Sequence, residues 1–207
     1  MKSTLSQRTI NRLTQYFTIL REEDKKGTKN ITSSSISQML EIDETQVRKD
    51  IKSINCKGKC KVGYSVNELK SKIEDVLDYN VVKRAVVVGA GNIGLALSGY
   101  SKFSEFGLEI EALFDNNLEK IGKTINDKVI YPIDKFPEIL KKNGVNIAIL
   151  TVPNKIAQEV CDFIVGAGIK YIWNFAPIIL NVPSDVKVWN ENLIGSFIQF
   201  CAIENIK

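Results

Sequence analysis

The clearest chemistry in this chain is carried by three glycines. Arg84-Ala85-Val86-Val87-Val88 runs into Gly89-Ala90-Gly91-Asn92-Ile93-Gly94 and leaves through Leu95-Ala96-Leu97. A β-branched apolar run, a G-x-G-x-x-G turn and an amphipathic helix, in that order, make the βα unit that binds a dinucleotide. Gly89 permits the tight turn, and Gly91 lets backbone N–H groups approach a pyrophosphate at the positive end of the helix. Gly94 lets helix and strand pack closely, and Ala90, Asn92 and Ile93 complete the turn as candidate cofactor contacts. A second apolar strand over 108–114 ends in Asp115, 21 residues beyond Gly94, near the spacing of about 20 at which an acid meets the adenosine ribose. A carboxylate there accepts from the ribose hydroxyls and repels a 2′-phosphate. Asn116, Asn117 and Leu118 bring no arginine to reverse that preference, so the expected cofactor is NAD(H) rather than NADP(H). The same glycines would also serve a doubly wound domain in which they only aid packing, or one that binds another nucleotide such as coenzyme A.

Charge is the second concentration of chemistry. The 207-residue chain has 28 Lys and Arg against 24 Asp and Glu, a net charge of +4, and no histidine. Residues 1–82 hold 15 basic and 11 acidic side chains while residues 83–207 hold 13 of each, so the whole excess sits in the first part. Between 48 and 61 lie Arg48, Lys49, Lys52, Lys57, Lys59 and Lys61 against one acid, Asp50. Such a field is the footprint of a polyanionic partner; a solvated helix face with a basic loop is the plain alternative. Cys56, Cys60, Cys161 and Cys201 are too few and too scattered for a disulfide framework. Cys56 and Cys60 supply only half a tetrahedral zinc site, and no histidine completes it. Lys57, Lys59 and Lys61 beside them favour a lowered thiol pKa.

The elements that must position these groups follow from periodicity. Residues 7–26 show Ile10, Leu13, Phe17 and Leu20 at helical spacing, with Gly27 placed to end the helix. Thr32-Ser33-Ser34-Ser35 caps a short helix carrying Ile36, Met39 and Leu40. Asp43 caps a third helix through Lys52, with Val47 and Ile51 inward and Thr45, Gln46, Arg48, Lys49 and Lys52 outward. Residues 55–64 then read as a wing hairpin with lysines at its tip, and Ser65 or Asn67 opens a further helix through Leu77. Helix, short helix, turn, helix and wing is a winged helix-turn-helix, whose third helix enters the major groove of duplex DNA.

Beyond Asp115 the chain alternates strand and helix, with strands at 129–131, 146–151, 171–174 and 186–188 and helices at 132–142 and 155–165. Thr151-Val152-Pro153 and Asn174-Phe175-Ala176-Pro177 fall at the carboxyl ends of strands, where this architecture binds ligand, so the nicotinamide half is expected there. Residues 192–203 form a helix with Leu193, Ile194, Phe197, Ile198, Phe200, Cys201 and Ile203, apolar on too many sides for one small domain. It is expected to be buried in a partner subunit. The fold class is therefore α/β: a winged-helix domain (1–80), a Rossmann-like parallel-sheet domain (81–188) and a C-terminal exchanged helix (189–207). The length leaves no room for a full-sized substrate domain. Met1-Lys2-Ser3-Thr4-Leu5 opens no leader-like apolar segment and no apolar run approaches membrane length, so a cytoplasmic chain without a membrane partner is expected.

From about Arg12 to Phe200 the chain resembles the Rex family of NADH-sensing bacterial transcriptional repressors. The resemblance rests on Val47-Arg48-Lys49-Asp50, Val62-Gly63-Tyr64, the glycine turn, Phe114-Asp115, Ala148-Ile149-Leu150-Thr151-Val152-Pro153, Ala167-Gly168-Ile169-Lys170, Asn174-Phe175-Ala176-Pro177 and Leu180-Asn181-Val182-Pro183. It implies a homodimer with an exchanged C-terminal helix, operator binding through two winged-helix domains, and release when NADH replaces NAD+. Where such proteins usually read Ser-Tyr-Phe-Gly after the recognition helix, this chain has Lys52-Ser53-Ile54-Asn55, and Arg-Gly in the wing is replaced by Cys60-Lys61. Thr18 and Asn192 stand where some relatives carry an arginine and an aspartate that pair differently in the two states, with a tyrosine matching Tyr100 as the alternative partner. Both charges are absent together here, which avoids an unpaired buried charge. The alternatives are a DNA-binding Rossmann-fold regulator with a weakened NADH response or another nucleotide ligand, and an NAD-dependent oxidoreductase. The last would need a proton acceptor in a chain that has no histidine.

Overall fold

The computed structural model describes residues 5–203, so the reading of Met1-Lys2-Ser3-Thr4 lies outside the described residues. The chain divides into two compact units between Val81 and Val82.

In the first unit, α1 (Gln7–Lys25) is capped by Ser6 and buries Leu13, Tyr16, Phe17 and Leu20 at the expected spacing. Thr32 caps α2 (Ser33–Leu40), where Ile36 is fully buried but Met39 is 54% exposed, since so short a helix turns only one side inward. Asp43 accepts from Gln46 N at 3.0 Å and caps α3 (Glu44–Ser53), which buries Val47 and Ile51. Ser65 caps α4 (Val66–Leu77), which buries Val66, Leu69 and Ile73. Each fully buried leucine or isoleucine of this core contributes about 1.5–3 kcal/mol relative to exposure. The wing is smaller than the hairpin expected from sequence. Lys59 and Gly63 make a single antiparallel bridge, and Val62 lies exposed in the turn. The sheet is instead β1 (Asn30–Ile31) against β2 (Tyr64–Ser65), with Ile31 opposite Tyr64.

In the second unit, β3 (Lys83–Val88) leads to α5 (Asn92–Ser98), α6 (Lys102–Glu105) and β4 (Leu108–Asp115). A hairpin of β5 (Thr124–Ile125) and β6 (Lys128–Pro132) follows, where one strand alone was expected. Its two-residue turn, Asn126-Asp127, has both residues at positive φ, as such a turn requires. A 3-10 turn (Ile133–Lys135) and α7 (Phe136–Asn143) replace the continuous helix expected over 132–142. β7 (Ile147–Leu150), α8 (Asn154–Gly166), β8 (Tyr171–Asn174), β9 (Lys187–Asn190) and α9 (Leu193–Ile203) complete the unit.

The sheet order is β5-β6-β4-β3-β7-β8-β9, and only the β5–β6 pair is antiparallel. Counting the six parallel strands from β3 gives 3-2-1-4-5-6, the Rossmann order, whose direction reverses between β3 and β7. Those two strands are apolar on both faces because helices cover both. Val86, Val88, Ala148 and Leu150 face one core with Phe114, Phe136 and Cys161, while Ala85, Val87 and Ile149 face the other with Leu113 and Ile130. By contrast α9 buries none of its residues in the chain, and its large apolar side chains from Leu193 to Ile203 are 55–75% exposed. Among the described residues no helix is long and apolar enough to cross a membrane.

Candidate nucleotide site and nucleic-acid interface

At the reversal point the glycine turn is locked to the neighbouring strand end. Thr151 Oγ1 donates to the Gly89 carbonyl at 2.7 Å. Gly89 has φ +106°, and a Cβ there would stand 2.8 Å from the Thr151 carbonyl. A Cβ on Gly94 would stand 2.0 Å from the Gly89 carbonyl. These two glycines are therefore demanded by the protein's own packing. Gly91 is different, since a Cβ there would meet nothing within 4 Å. Only an incoming group gains from its bare backbone.

Asp115, at the end of β4, accepts from Ala90 N (2.9 Å) and Lys120 Nζ (3.1 Å) through Oδ2 and from Asn117 N (2.8 Å) through Oδ1. Burial alone would raise its pKa, but the donors Asn117, Lys120 and Ala90 hold it below the ordinary carboxylate value. Three of about four acceptor positions are filled, which leaves Oδ1 one for a ribose hydroxyl. The residues directly after Asp115 carry no arginine, and a lysine five positions on, Lys120, returns to the acid.

A cavity of about 890 Å³ opens here. Of the expected residues it is lined by Gly89, Gly91, Ile93, Asp115, Thr151, Val152, Pro153, Phe175 and Pro177, and it adds Lys120, Ile156, Glu159, Val160 and Phe163. The additions from α8 follow the period of its outer face, a signal present in the sequence but not read. Ala90 and Gly94 are buried beneath the turn and Asn92 is exposed on the first turn of α5. Asn174, expected to meet the cofactor, does not line the cavity. It is fully buried, donating to the Ile178 carbonyl (2.9 Å) and Asn190 Oδ1 (2.8 Å) and accepting from Ala176 N (3.0 Å). Its amide closes the turn that carries Phe175 and Pro177.

In the first unit Thr45, Lys49 and Lys52 are exposed on α3, and Lys57, Lys59 and Lys61 are exposed in and before the wing turn. Arg48 is exposed but tethered, donating to Glu44 Oε1 (2.6 Å) and Ser33 Oγ (3.2 Å). Gln46, expected to point outward, is only partly exposed and donates to Asp50 at 2.9 Å. Asp50 itself is 3% exposed and bound by Arg12 and Tyr16. Asn55 and Lys61, which stand where the resemblance places glycines, have φ +56° and +61°. The left-handed backbone has been kept without the residue that adopts it most easily.

Thr18 donates to the Thr14 carbonyl of its own helix (3.1 Å), and Asn192 accepts from Gly195 N (2.8 Å), capping α9. Tyr100 is half exposed and edge-on to Phe103 at 5.0 Å. Burial pushes the Cys56 thiol up, aided by Glu68 and opposed by Lys72, so its lysine neighbours in sequence do not activate it. Cys161 is pushed up to about 11, mainly by burial. Among the described residues no group of three His, Cys, Asp or Glu side chains is placed to hold a metal.

A dinucleotide crevice at a Rossmann reversal point, on one chain with a winged helix whose outer face is basic, defines a class: nucleotide-responsive transcription regulators. The profile described as CoA binding domain matches residues 80–178, and that described as putative DNA-binding protein N-terminus matches residues 4–51. The chain is 40% identical, over 96% of its length and 94% of the relative's, to the redox-sensing transcriptional repressor Rex of Treponema denticola. It is similar to RSP, a Rex-family repressor, in complex with beta-NAD+ and operator DNA (TM-score 0.91, 32% identity, 99% of this chain and 94% of that one). It is also similar to RSP in complex with beta-NADH (TM-score 0.89, 32% identity, 99% and 96%). The chain belongs to the Rex family of redox-sensing transcriptional repressors.

Proposed function

We propose that this chain represses transcription by holding operator DNA as a homodimer and releases it when NADH replaces NAD+. The observation that carries this reading is Gly91, a glycine whose missing Cβ leaves open space over the cavity beside Asp115, in a chain whose other unit exposes a basic recognition helix. The backbone at Gly91, the acid Asp115 and the walls Thr151, Val152, Pro153, Phe175 and Pro177 suit a dinucleotide, with Ala90, Asn92, Ile93 and Gly94 shaping the turn. When bound, NAD(H) supplies a nicotinamide ring that is cationic when oxidised and uncharged when reduced. The apolar wall of Pro153, Phe175 and Pro177 favours the uncharged ring, because desolvating a cation there is not repaid. A ligand releases DNA only through unequal affinities for two conformations, and this wall is one source of that inequality.

The exposed apolar side chains of α9 supply a surface for a second copy. A dimer would present two winged helices to half-sites about one helical turn apart. Thr45, Gln46, Arg48, Lys49, Lys52, Lys57, Lys59 and Lys61 form the proposed DNA face. In this reading residues 1–80 bind DNA, 81–188 bind NAD(H) and 189–207 pair the subunits, in the cytoplasm and without catalytic turnover. Selection of bound duplexes from a random pool, together with sedimentation of the protein alone, tests this. A palindromic site and a dimer are expected; a monomer that selects nothing overturns it.

A second reading is favoured by Thr18, satisfied within α1, and Asn192, satisfied as the cap of α9. In it the NADH response is weak or the ligand is another nucleotide. Thermal-shift comparison of NADH, NAD+, NADPH and coenzyme A separates the two.

A further inference from the structure

Asp50 sits on the recognition helix yet cannot itself touch DNA. Its Oδ2 accepts from Arg12 Nε (2.6 Å) and the Tyr16 hydroxyl (2.9 Å), and its Oδ1 accepts from Arg12 Nη2 (2.9 Å) and Gln46 Nε2 (2.9 Å). All four acceptor positions are used. Burial alone would raise its pKa, but hydrogen bonds from Arg12, Tyr16 and Gln46 hold it below the ordinary carboxylate value, so it stays an acceptor only. The amide of Gln46 must therefore give Asp50 its amino end. Its carbonyl end is turned away from the carboxylate, on a partly exposed residue between exposed Thr45 and exposed Lys49.

We infer that Asp50 is a positioning residue for base recognition: it fixes Gln46 as a hydrogen-bond acceptor that reads the exocyclic amine of adenine or cytosine in the major groove. A free glutamine amide can turn over and present either end. A held one favours base edges that donate, the N6 amine of adenine or the N4 amine of cytosine, over guanine O6 and thymine O4, which only accept. The fixed orientation also removes rotamer freedom before DNA arrives, so less is lost on binding. Arg12 and Tyr16, from α1, hold the carboxylate that holds the reader.

This inference rests on the proposed DNA-binding function. The test uses a duplex selected from a random pool by the wild-type protein. Each adenine or cytosine of a half-site is replaced in turn by purine or pyrimidin-2-one, which lack the exocyclic amine. Wild-type protein is expected to lose about tenfold in affinity at one position per half-site, and the base there distinguishes adenine from cytosine. Gln46→Ala, which leaves the Arg12–Asp50 pair in place, should bind the parent and the amine-free duplex equally. In Asp50→Asn the side-chain amide can donate to Gln46, so the preference for amine-bearing bases at that position should fall. If that variant does not fold, Gln46→Ala decides. Retention of the amine preference in Gln46→Ala, or no amine-sensitive position in the wild type, overturns the inference while leaving DNA binding standing. If the wild type selects no duplex, the proposed function fails first and the inference with it.

Discussion

The carboxylate of Asp115 accepts the backbone N–H of Ala90 at 2.9 Å, so the acid at the end of β4 also fastens the middle of the glycine turn after β3. Its cationic partner, Lys120, lies at 3.1 Å and is partly exposed. Lys120→Ala is expected to sharpen discrimination against NADPH by roughly three- to tenfold, since the removed cation offsets repulsion of a 2′-phosphate. NADH affinity should change less. Fluorescence titrations with both reduced cofactors check this, and an unchanged ratio would count against the assignment of Asp115 to the ribose.

Gly91 and Gly94 should fail in different ways. Gly94→Ala drives a Cβ into the Gly89 carbonyl and should destabilise the second unit by about 1–3 kcal/mol or more, with nucleotide binding lost as a consequence. Gly91→Ala meets no protein atom. Its melting temperature without ligand should stay within a few degrees of wild type while NADH affinity falls at least tenfold, because the methyl occupies the space of approach. Thermal unfolding with and without NADH separates the two.

Acid should unfold the first unit through Asp50. Its folded pKa lies below the unfolded value of about 3.9, so the stability it contributes is complete above that value and is lost as pH falls toward the folded one. Arg12→Ala, which leaves the buried carboxylate without its ion partner, should cost about 3 kcal/mol at neutral pH. Denaturation midpoints of wild type and variant between about pH 2 and 7 should differ most near neutrality and draw together below the unfolded carboxylate value, where protons taken up on unfolding remove the pair's contribution.

Thiol reactivity should follow burial. Cys60, exposed at the wing turn, is expected to alkylate first near neutral pH, while Cys56 and Cys161 are protected by burial and by raised pKa values. Mass mapping after a short iodoacetamide pulse reads the order directly. Peroxide should impair DNA binding no more in wild type than in a Cys56→Ser, Cys60→Ser variant.

The nucleotide half was legible because its signals are local. The G-x-G-x-x-G turn, the acid 21 residues on and the alternation of strand and helix are all written within short windows. What sequence missed depends on returns of the chain. Asp50 reads as the single acid of a basic run, yet its partners Arg12 and Tyr16 are more than thirty residues away on α1. Gln46 was read as outward from helical spacing alone, although a buried acid one turn on draws its amide back. Asn174 looked like a ligand group because it ends a strand at the ligand edge. A fully buried amide with three hydrogen bonds is instead a brace for the loop that follows. The wing lost its ladder because residues 59–63 form a tight turn, and Tyr64–Ser65 pairs with residues ahead of α2 rather than with the wing's own first arm.

The most direct test is a fluorescence-anisotropy titration of the protein on its selected duplex with NADH, repeated with NAD+ and at fixed salt. NADH is expected to release the DNA at concentrations where NAD+ does not. Undiminished DNA binding at saturating NADH, with cofactor binding verified in the same sample, would contradict it.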